Sequence, residues 1–359
     1  MSPSGPAAPG AEGSRYSAAG VSLERAERAT ERIRGLVEGT FTEGVVGGFG
    51  GFGGGFDLRR AAGGATLLVA SADGVGTKLE VALRAARHDT LGEDLVNHCV
   101  DDVLAQGARP LFFLDYIGCG RLDPERIAQI VSGFARGCRT NGCALLGGET
   151  AEMPGLYGGE AYDLAGFVVG VVERERLVDG SAIRPGDRVL GLGSSGLHTN
   201  GYTLARRIVF EEGGLAPEDE LPGTGTSVAD ALLAVHRSYL ATVTPLLEAE
   251  IVHGMVHVTG GGFEGNVRRV LPRDVDCHID AAAWEPPPLF RFLQRAGGVA
   301  SAEMYRVFNM GIGFLLFVAP ADVERAHALL AGAGEEPRVV GRVLEGSGRA
   351  VLRLAGRGG

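Results

Sequence analysis

No apolar run in this chain is longer than a β-strand; the longest spans residues 312–319. A membrane-crossing helix needs about 18–20 such residues in a row, so no membrane partner is expected. The chain must instead bury its apolar residues by packing short strands against amphipathic helices. The runs are spaced for that. Residues 65–72, 110–117, 143–147 and 164–172 have strand length and composition, and 90–107 and 123–141 have helical period between them. Thr90-Leu-Gly-Glu93 has the form of a capping box, and Asp123-Pro124 places proline at a first helical position. Asn141-Gly142 closes the second helix. A helix is also expected over 22–38, with Ser22 as its cap.

A charged stretch, 173–187, then ends in Arg-Pro-Gly-Asp and is taken as a linker. Beyond it the pattern predicts strands at 188–193, 255–259, 307–318, 338–344 and 349–354. Helices are predicted near 201–212, 227–250, 263–270 and 321–331. Alternating strands and helices in both halves define an α/β (α+β) chain of two domains, each a mixed sheet with helices. The boundaries expected are a tail at 1–15, an N-terminal domain at 16–174 and a C-terminal domain at 175–359.

Acidic residues outnumber basic ones 44 to 34, for a net charge of −10, and the basic residues form no run. That argues against nucleic acid as a partner, since phosphate neutralisation needs clustered cations. The five cysteines form no C-x-x-C pair and read as buried apolar residues in a reducing cytoplasm. Of the basic residues only Lys78 is a lysine, within Asp73-Gly-Val-Gly-Thr-Lys78.

That segment follows a buried strand, where α/β sheets place their ligands. Gly74 and Gly76 allow close backbone approach, Asp73 can hold Mg²⁺, and Thr77 and Lys78 can meet phosphate. On the helix from Thr90, projection turns Asp102 inward between Leu91 and Leu95. It leaves Asp101 on the opposite flank with Asp94, as a solvent-facing residue. Glu149, in Gly147-Gly-Glu-Thr-Ala-Glu-Met-Pro154, follows a strand as Asp73 does. Carboxylates beside one lysine suit a Mg²⁺–nucleotide site, with the metal joining an acidic protein to a polyanion.

Other loops fit phosphate. Residues 47–56 include Gly48, Gly50 and Gly51, suited to fold over phosphates through backbone N–H groups. Thr259 with Gly260, Gly261 and Gly262 opens a helix. Gly191-Leu-Gly-Ser-Ser-Gly196 imitates a dinucleotide fingerprint after a strand, which makes a nicotinamide-dependent oxidoreductase the alternative class. It continues into Leu197-His-Thr-Asn200, rich in side-chain donors. His198 and His257 stand beside two of these loops.

Taken together these segments resemble the phosphoribosylformylglycinamidine cyclo-ligase family, the aminoimidazole ribonucleotide synthetases. The likeness runs from Tyr16 to about Leu354. It is carried by Tyr16-Ser-Ala-Ala-Gly-Val21, Gly48-Phe-Gly-Gly-Phe52, Ser71-Ala-Asp-Gly-Val-Gly-Thr-Lys78 and Pro110-Leu-Phe-Phe-Leu-Asp-Tyr116. Gly147 to Gly155, Gly193 to Tyr202, His257 to Phe263 and Phe308 to Gly311 complete it. The resemblance implies a homodimer, paired through the N-terminal sheets, that turns formylglycinamidine ribonucleotide and ATP into aminoimidazole ribonucleotide, ADP and phosphate. It implies that Asp73, Asp102 and Glu149 hold Mg²⁺, that Lys78 meets the phosphates, and that Gly48, Gly50 and Gly51 cover them. Ser195, His198, Asn200 and Thr259 to Gly262 would recognise substrate, with His198 and His257 handling protons or the leaving oxygen. Related ATP-using enzymes, including small-molecule kinases, share variants of the Asp73–Lys78 segment. The chain departs from the family at Ser17, where Lys or Arg is usual, at Asp101, where Asn is usual, and at Glu264-Gly265-Asn266.

Overall fold

A computed structural model of the chain describes Arg15 and residues 45–46, 54–57 and 66–354. The expected helix at 22–38, Ser17, and Gly48, Gly50 and Gly51 lie outside the described residues.

Two six-stranded sheets organise the molecule. The first contains β1 (Val45–Val46), β2 (Gly54–Asp57), β3 (Thr66–Gly74), β4 (Arg109–Cys119), β5 (Ala144–Glu152) and β6 (Tyr162–Glu173). Their order is β1-β2-β3-β6-β4-β5, with only β4 and β5 parallel. One face is covered by α2 (Leu91–Leu104) and α3 (Pro124–Thr140), while α1 (Lys78–Ala85) follows β3 after a short turn. The α2–α3 contact is made by glycine. A Cβ on Gly92 would sit 2.2 Å from the Ile130 carbonyl oxygen, so these backbones meet at a distance no other residue allows. The opposite face leaves Leu114 and Phe167, paired across β4 and β6, exposed.

The second sheet contains β7 (Arg188–Gly193), β8 (Val252–His257), β9 (Val275–Asp280), β10 (Ile312–Val318), β11 (Arg338–Glu345) and β12 (Ala350–Arg353). Its order is β12-β9-β11-β7-β10-β8, and only β9 and β12 are parallel. The longest apolar run became β10, buried at every residue. The helices of this half are α4 (Tyr202–Arg206), α5 (Val228–Leu232), α6 (Leu240–Glu248), α7 (Gly262–Val267), α8 (Pro288–Ala296), α9 (Ser301–Val307) and α10 (Val323–Gly332).

Several local expectations are corrected. The capping box at Thr90 does not form. Glu93 turns to Arg136 instead, and the Thr90 hydroxyl makes no cap bond. Asp123 does cap α3, accepting from the amides of Glu125 and Arg126. The helix expected at 201–212 is α4 continuing into a π-helical turn at Arg207–Glu212. The strand expected at 307–318 starts only at Ile312, because α9 occupies the residues before Phe308. The long helix expected at 227–250 is two short ones, α5 and α6, joined by an irregular strap over 233–239. The strap does not coil because its amides bond to the first half of the chain.

Candidate active site

The strap lies on a polar stripe of α2. Asp94, Asn97, His98, Asp101 and Asp102 recur at helical spacing on one side of that helix, and all are buried. Asp94 Oδ1 accepts from the His236 amide at 2.7 Å, and Asp101 Oδ1 from the Tyr239 amide at 2.9 Å. Asn97 donates to the His236 carbonyl at 2.7 Å. The expectation that Asp101, on the flank it shares with Asp94, faces solvent is therefore overturned. Projection on α2 alone could not show that the second half of the chain covers that flank. Burial raises the Asp101 carboxyl well above the usual range, against the Tyr239 amide bond, and leaves its Oδ2 without a hydrogen bond.

Lys78 is the surprise at this junction. It is fully buried, and its ammonium contacts Asp94 Oδ1 at 2.8 Å, the Ala234 carbonyl at 2.7 Å and the His198 carbonyl at 3.4 Å. An ammonium has three protons, so all its donors are used within the protein. The sequence placed Lys78 on phosphate; the structure makes it a tie between α1, α2 and the second half. Burial pushes the Lys78 ammonium down and the Asp94 carboxyl up to about 6, each opposed by the other's charge.

Asp73 ends β3 at the cleft, with its side chain one third exposed. Gly76 follows in the left-handed region (φ +54°), and Thr77 Oγ1 lies 2.9 Å from Thr203 Oγ1 of α4. Asp73 and Asp102 act on each other as like charges, and Ser71 donates to Asp102 Oδ2 at 2.9 Å. Burial, with Asp73 as a like charge, pushes Asp102 up to about 8 although His98 opposes it. Burial also works against ionised Asp73, but His98, 3.3 Å away, outweighs it and lowers the carboxyl. His98 in turn is raised to about 9: Asp73, Asp102 and Asp101 overcome the burial that disfavours its charge. Arg269 adds a positive charge in the field of Asp102 and Asp73.

Glu149 does not join this pair. In the sheet Asp73 stands opposite Gly166, Gly166 opposite Asp115, and Asp115 opposite Gly148. Three strand spacings of about 4.8 Å separate the two positions, too far for one ion within one chain.

His198 and His257 come together, with two histidines that the sequence did not single out. His257 Nδ1 is 2.8 Å from Asp102 Oδ1, and its Nε2 is 3.1 Å from His236 Nε2. The His198 and His236 rings stack at 4.0 Å, and the His98 ring centroid is 5.0–5.1 Å from those of His236 and His257. Thr199 Oγ1 bonds both His98 and His236. His198 takes φ +61°, a strained conformation for a side-chain-bearing residue. Burial, then mutual repulsion among the rings, lowers His198, His236 and His257 well below the usual range, so they are neutral.

The remaining loops border the cluster. Ser195 donates to the Val235 carbonyl at 2.5 Å, and a Cβ on Gly260 would lie 3.2 Å from Asn200 Oδ1. Gly262 is required where it stands: φ is +65°, and a Cβ would lie 2.1 Å from the Tyr305 carbonyl oxygen. Two asparagines that stand in quoted segments but carried no assigned role, Asn266 and Asn309, shape these loops. Asn266 Nδ2 bonds the carbonyls of Thr259 and Gly262 at 3.1 and 2.8 Å, and Asn309 Nδ2 bonds that of Gly196 at 2.9 Å. Glu264 accepts from the Leu352 amide at 3.1 Å, away from the loop. The dinucleotide alternative loses its basis here. β7 is antiparallel to both neighbours, so Gly191 to Gly196 belongs to no βαβ unit.

Apart from β1 and β2, the strands of the two sheets lie along the two stretches that family models of the AIR synthase related proteins match. The N-terminal domain model of that group matches residues 58–172 and its C-terminal domain model residues 184–353. The chain is 50% identical to the phosphoribosylformylglycinamidine cyclo-ligase of Trichlorobacter lovleyi, over 91% of this chain and 94% of that protein. It is 49% identical to the protein of the same name from Desulfitobacterium hafniense, over 92% and 97%. The chain belongs to the phosphoribosylformylglycinamidine cyclo-ligase family. Its fold is also shared by a solved structure described as AaThiL complexed with AMPPCP and TMP, with TM-score 0.64, 17% identity, and 92% and 95% of the two chains covered. No helix among the described residues is long and apolar enough to cross a membrane.

Proposed function

We propose that this chain is an ATP-dependent cyclo-ligase that converts formylglycinamidine ribonucleotide and ATP to aminoimidazole ribonucleotide, ADP and phosphate. The observation that carries this is the convergence of Asp73, Asp102, His198 and His257 from both halves of the chain on one junction, beside the Thr259–Gly262 loop. Family membership and the AMPPCP complex of the fold neighbour support ATP as the phosphoryl donor. An amide oxygen leaves poorly; phosphorylated, it leaves readily, and the ribose-linked amine then closes the ring.

Asp73 and Asp102 fit a divalent cation, because two carboxyls near enough for one charge to disfavour the other form an oxygen-donor pair that a cation would relieve. Bound Mg²⁺ would neutralise charge on the transferring phosphoryl group. The chain's own residues position the reactants. The Thr259–Gly262 loop, held by Asn266, offers amides to phosphate. Ser195 and Asn200 face substrate. Neutral His257, oriented by Asp102, and neutral His198 can each accept a proton as the ring closes. Gly48, Gly50 and Gly51 would cover the nucleotide. Lys78 would act by fixing the His198 and Ala234 carbonyls rather than by touching phosphate. The exposed Leu114 and Phe167 face supports a homodimer paired through the first sheet, and the five buried free cysteines fit a reducing cytoplasm.

The test is direct. Purified protein with Mg²⁺-ATP and formylglycinamidine ribonucleotide should form aminoimidazole ribonucleotide and ADP in equal amounts. ADP without ring closure would indicate a kinase and end the proposal.

A further inference from the structure

The second sheet carries a row of positive charge that the proposed reaction does not use. Arg188 of β7 stands directly opposite Arg342 of β11, and Arg342 directly opposite His278 of β9. Val351 of β12 is next in the row, and Arg353, two residues on, shares its face. Like charges directly opposite one another across strands are destabilising. Two arginines so placed therefore call for an anion, yet no carboxylate among the described residues pairs with them.

Nearby Arg349 shows the contrast, since it is matched by Asp276 at 2.8 Å. Arg188 has only a 3.4 Å contact with the Gly186 carbonyl, and Arg342 makes no hydrogen bond or ion pair among the described residues. Arg353 donates to His278 Nδ1 at 2.9 Å, which leaves the ring proton on Nε2 as a further donor. Burial, then the Arg353 charge, lowers the His278 imidazole below its usual range against the pull of Asp276. The four cationic or donor side chains line a cavity of about 360 Å³, with Val339, Val340 and Ala283 among its apolar walls. That volume is within the range that holds small ligands. Asp280 also lines it, but one of its oxygens is engaged by the Ala282 amide at 3.0 Å.

We propose that Arg188, Arg342, Arg353 and His278 form a binding site for the phosphate group of a small molecule, separate from the catalytic junction. Guanidinium forks match pairs of phosphate oxygens. A phosphate dianion would cancel the opposition between Arg188 and Arg342, and Val339 and Val340 would take the apolar part of an ester. β7 begins at Arg188 and ends at Gly193, just before the Ser195–Asn200 loop. At about 3.3 Å per residue, the row lies roughly 17 Å along the strand from that loop.

Full-length protein carrying isotope-labelled histidine is titrated in chloride buffer with inorganic phosphate, adenosine monophosphate and succinate, and followed by NMR. The His278 resonance, identified by its loss in His278→Gln, should shift saturably with phosphate at a Kd below about 1 mM. Arg342→Gln should weaken that binding by about tenfold, as expected for one charged hydrogen-bonding group. Tighter binding of adenosine monophosphate than of phosphate would mark an ester seated on the apolar wall, equal binding would mark free phosphate, and either supports the site. No shift, succinate binding as tightly as phosphate, or unchanged affinity in Arg342→Gln overturns the proposal. If Arg342→Gln fails to fold, Arg353→Gln is read in its place with the same expectation. These readouts follow His278 alone, so they stand whether or not the cyclo-ligase assay succeeds.

Discussion

Helix α2 is buried all round, but its two sides are buried by different physics. One side puts Leu91, Leu95, Val96, Cys99, Val100 and Val103 into the core of the first domain. The other puts Asp94, Asn97, His98, Asp101 and Asp102 under the strap of the second. Apolar packing is non-directional and tolerates rearrangement. The polar side demands a partner for every group, and so fixes where the strap and its histidines sit. The chemistry lies on the side that is costly to bury.

The largest expected effect separates these two kinds of burial. Lys78→Ala leaves Asp94 buried without its cation and should destabilise the protein by about 3–5 kcal/mol, measured by urea unfolding. The double variant Lys78→Met/Asp94→Asn should recover most of that loss, since it removes both charges and keeps an oxygen to accept from the His236 amide. Turnover by the recovered double variant would sharpen the result. Activity near that of the unaltered protein means Lys78 serves only as a tie; inactivity at full stability returns it to the phosphates. On the apolar side, Leu95→Ala should cost about 3 kcal/mol through lost transfer energy and a residual cavity. A loss under about 1 kcal/mol would show that this side of α2 repacks freely.

The apolar side was legible in the sequence and the polar side was not. Leu91 and Leu95 announce themselves by period, and α2, α3 and β10 follow from patterns that local chemistry sets. Asp94 and Asp101 look like ordinary surface carboxylates, because what covers them lies about 140 residues further along the chain. For the same reason 227–250 reads as one helix: its apolar period is real, but Asp94, Asn97 and Asp101 offer the strap better hydrogen bonds than a helix would. The site was partly legible. Asp73, Asp102, His198 and His257 stand in motifs, whereas His98 and His236 stand in none. Only contact between the halves reveals them. The lone lysine was a true signal with a different cause: a compact ammonium with three donors fits the sealed space among Asp94, Ala234 and His198.

The pH dependence of stability should carry the signature of the polar side. His98 is raised from 6.5 to about 9 in the fold. The folded state therefore holds a proton that the unfolded chain releases across that interval. The stabilisation is complete below pH 6.5 and is lost as pH rises toward 9. A shift of this size corresponds to at most about 3 kcal/mol, and the partly open Asp73 partner reduces it to about 2. His98→Asn should flatten the fall in urea midpoint between those pH values; an unchanged slope would show that another group carries it.

The smallest effect should come from Asp101→Asn, and its smallness is what makes it informative. Asparagine keeps the oxygen that accepts from the Tyr239 amide, so the strap stays anchored. What is removed is a buried carboxyl whose second oxygen has no hydrogen bond and whose ionisation burial opposes. Stability should change by less than about 1 kcal/mol, with a gain more natural than a loss. If Asp101 were an ordinary structural anchor, nothing else would change. If it also helps to hold the proton on His98, whose charge it favours, the fall in urea midpoint with rising pH should become shallower while the midpoint at neutral pH holds. A lower midpoint with an unchanged pH slope would instead assign Asp101 to the strap alone, and the two sides of α2 would then differ in composition but not in purpose.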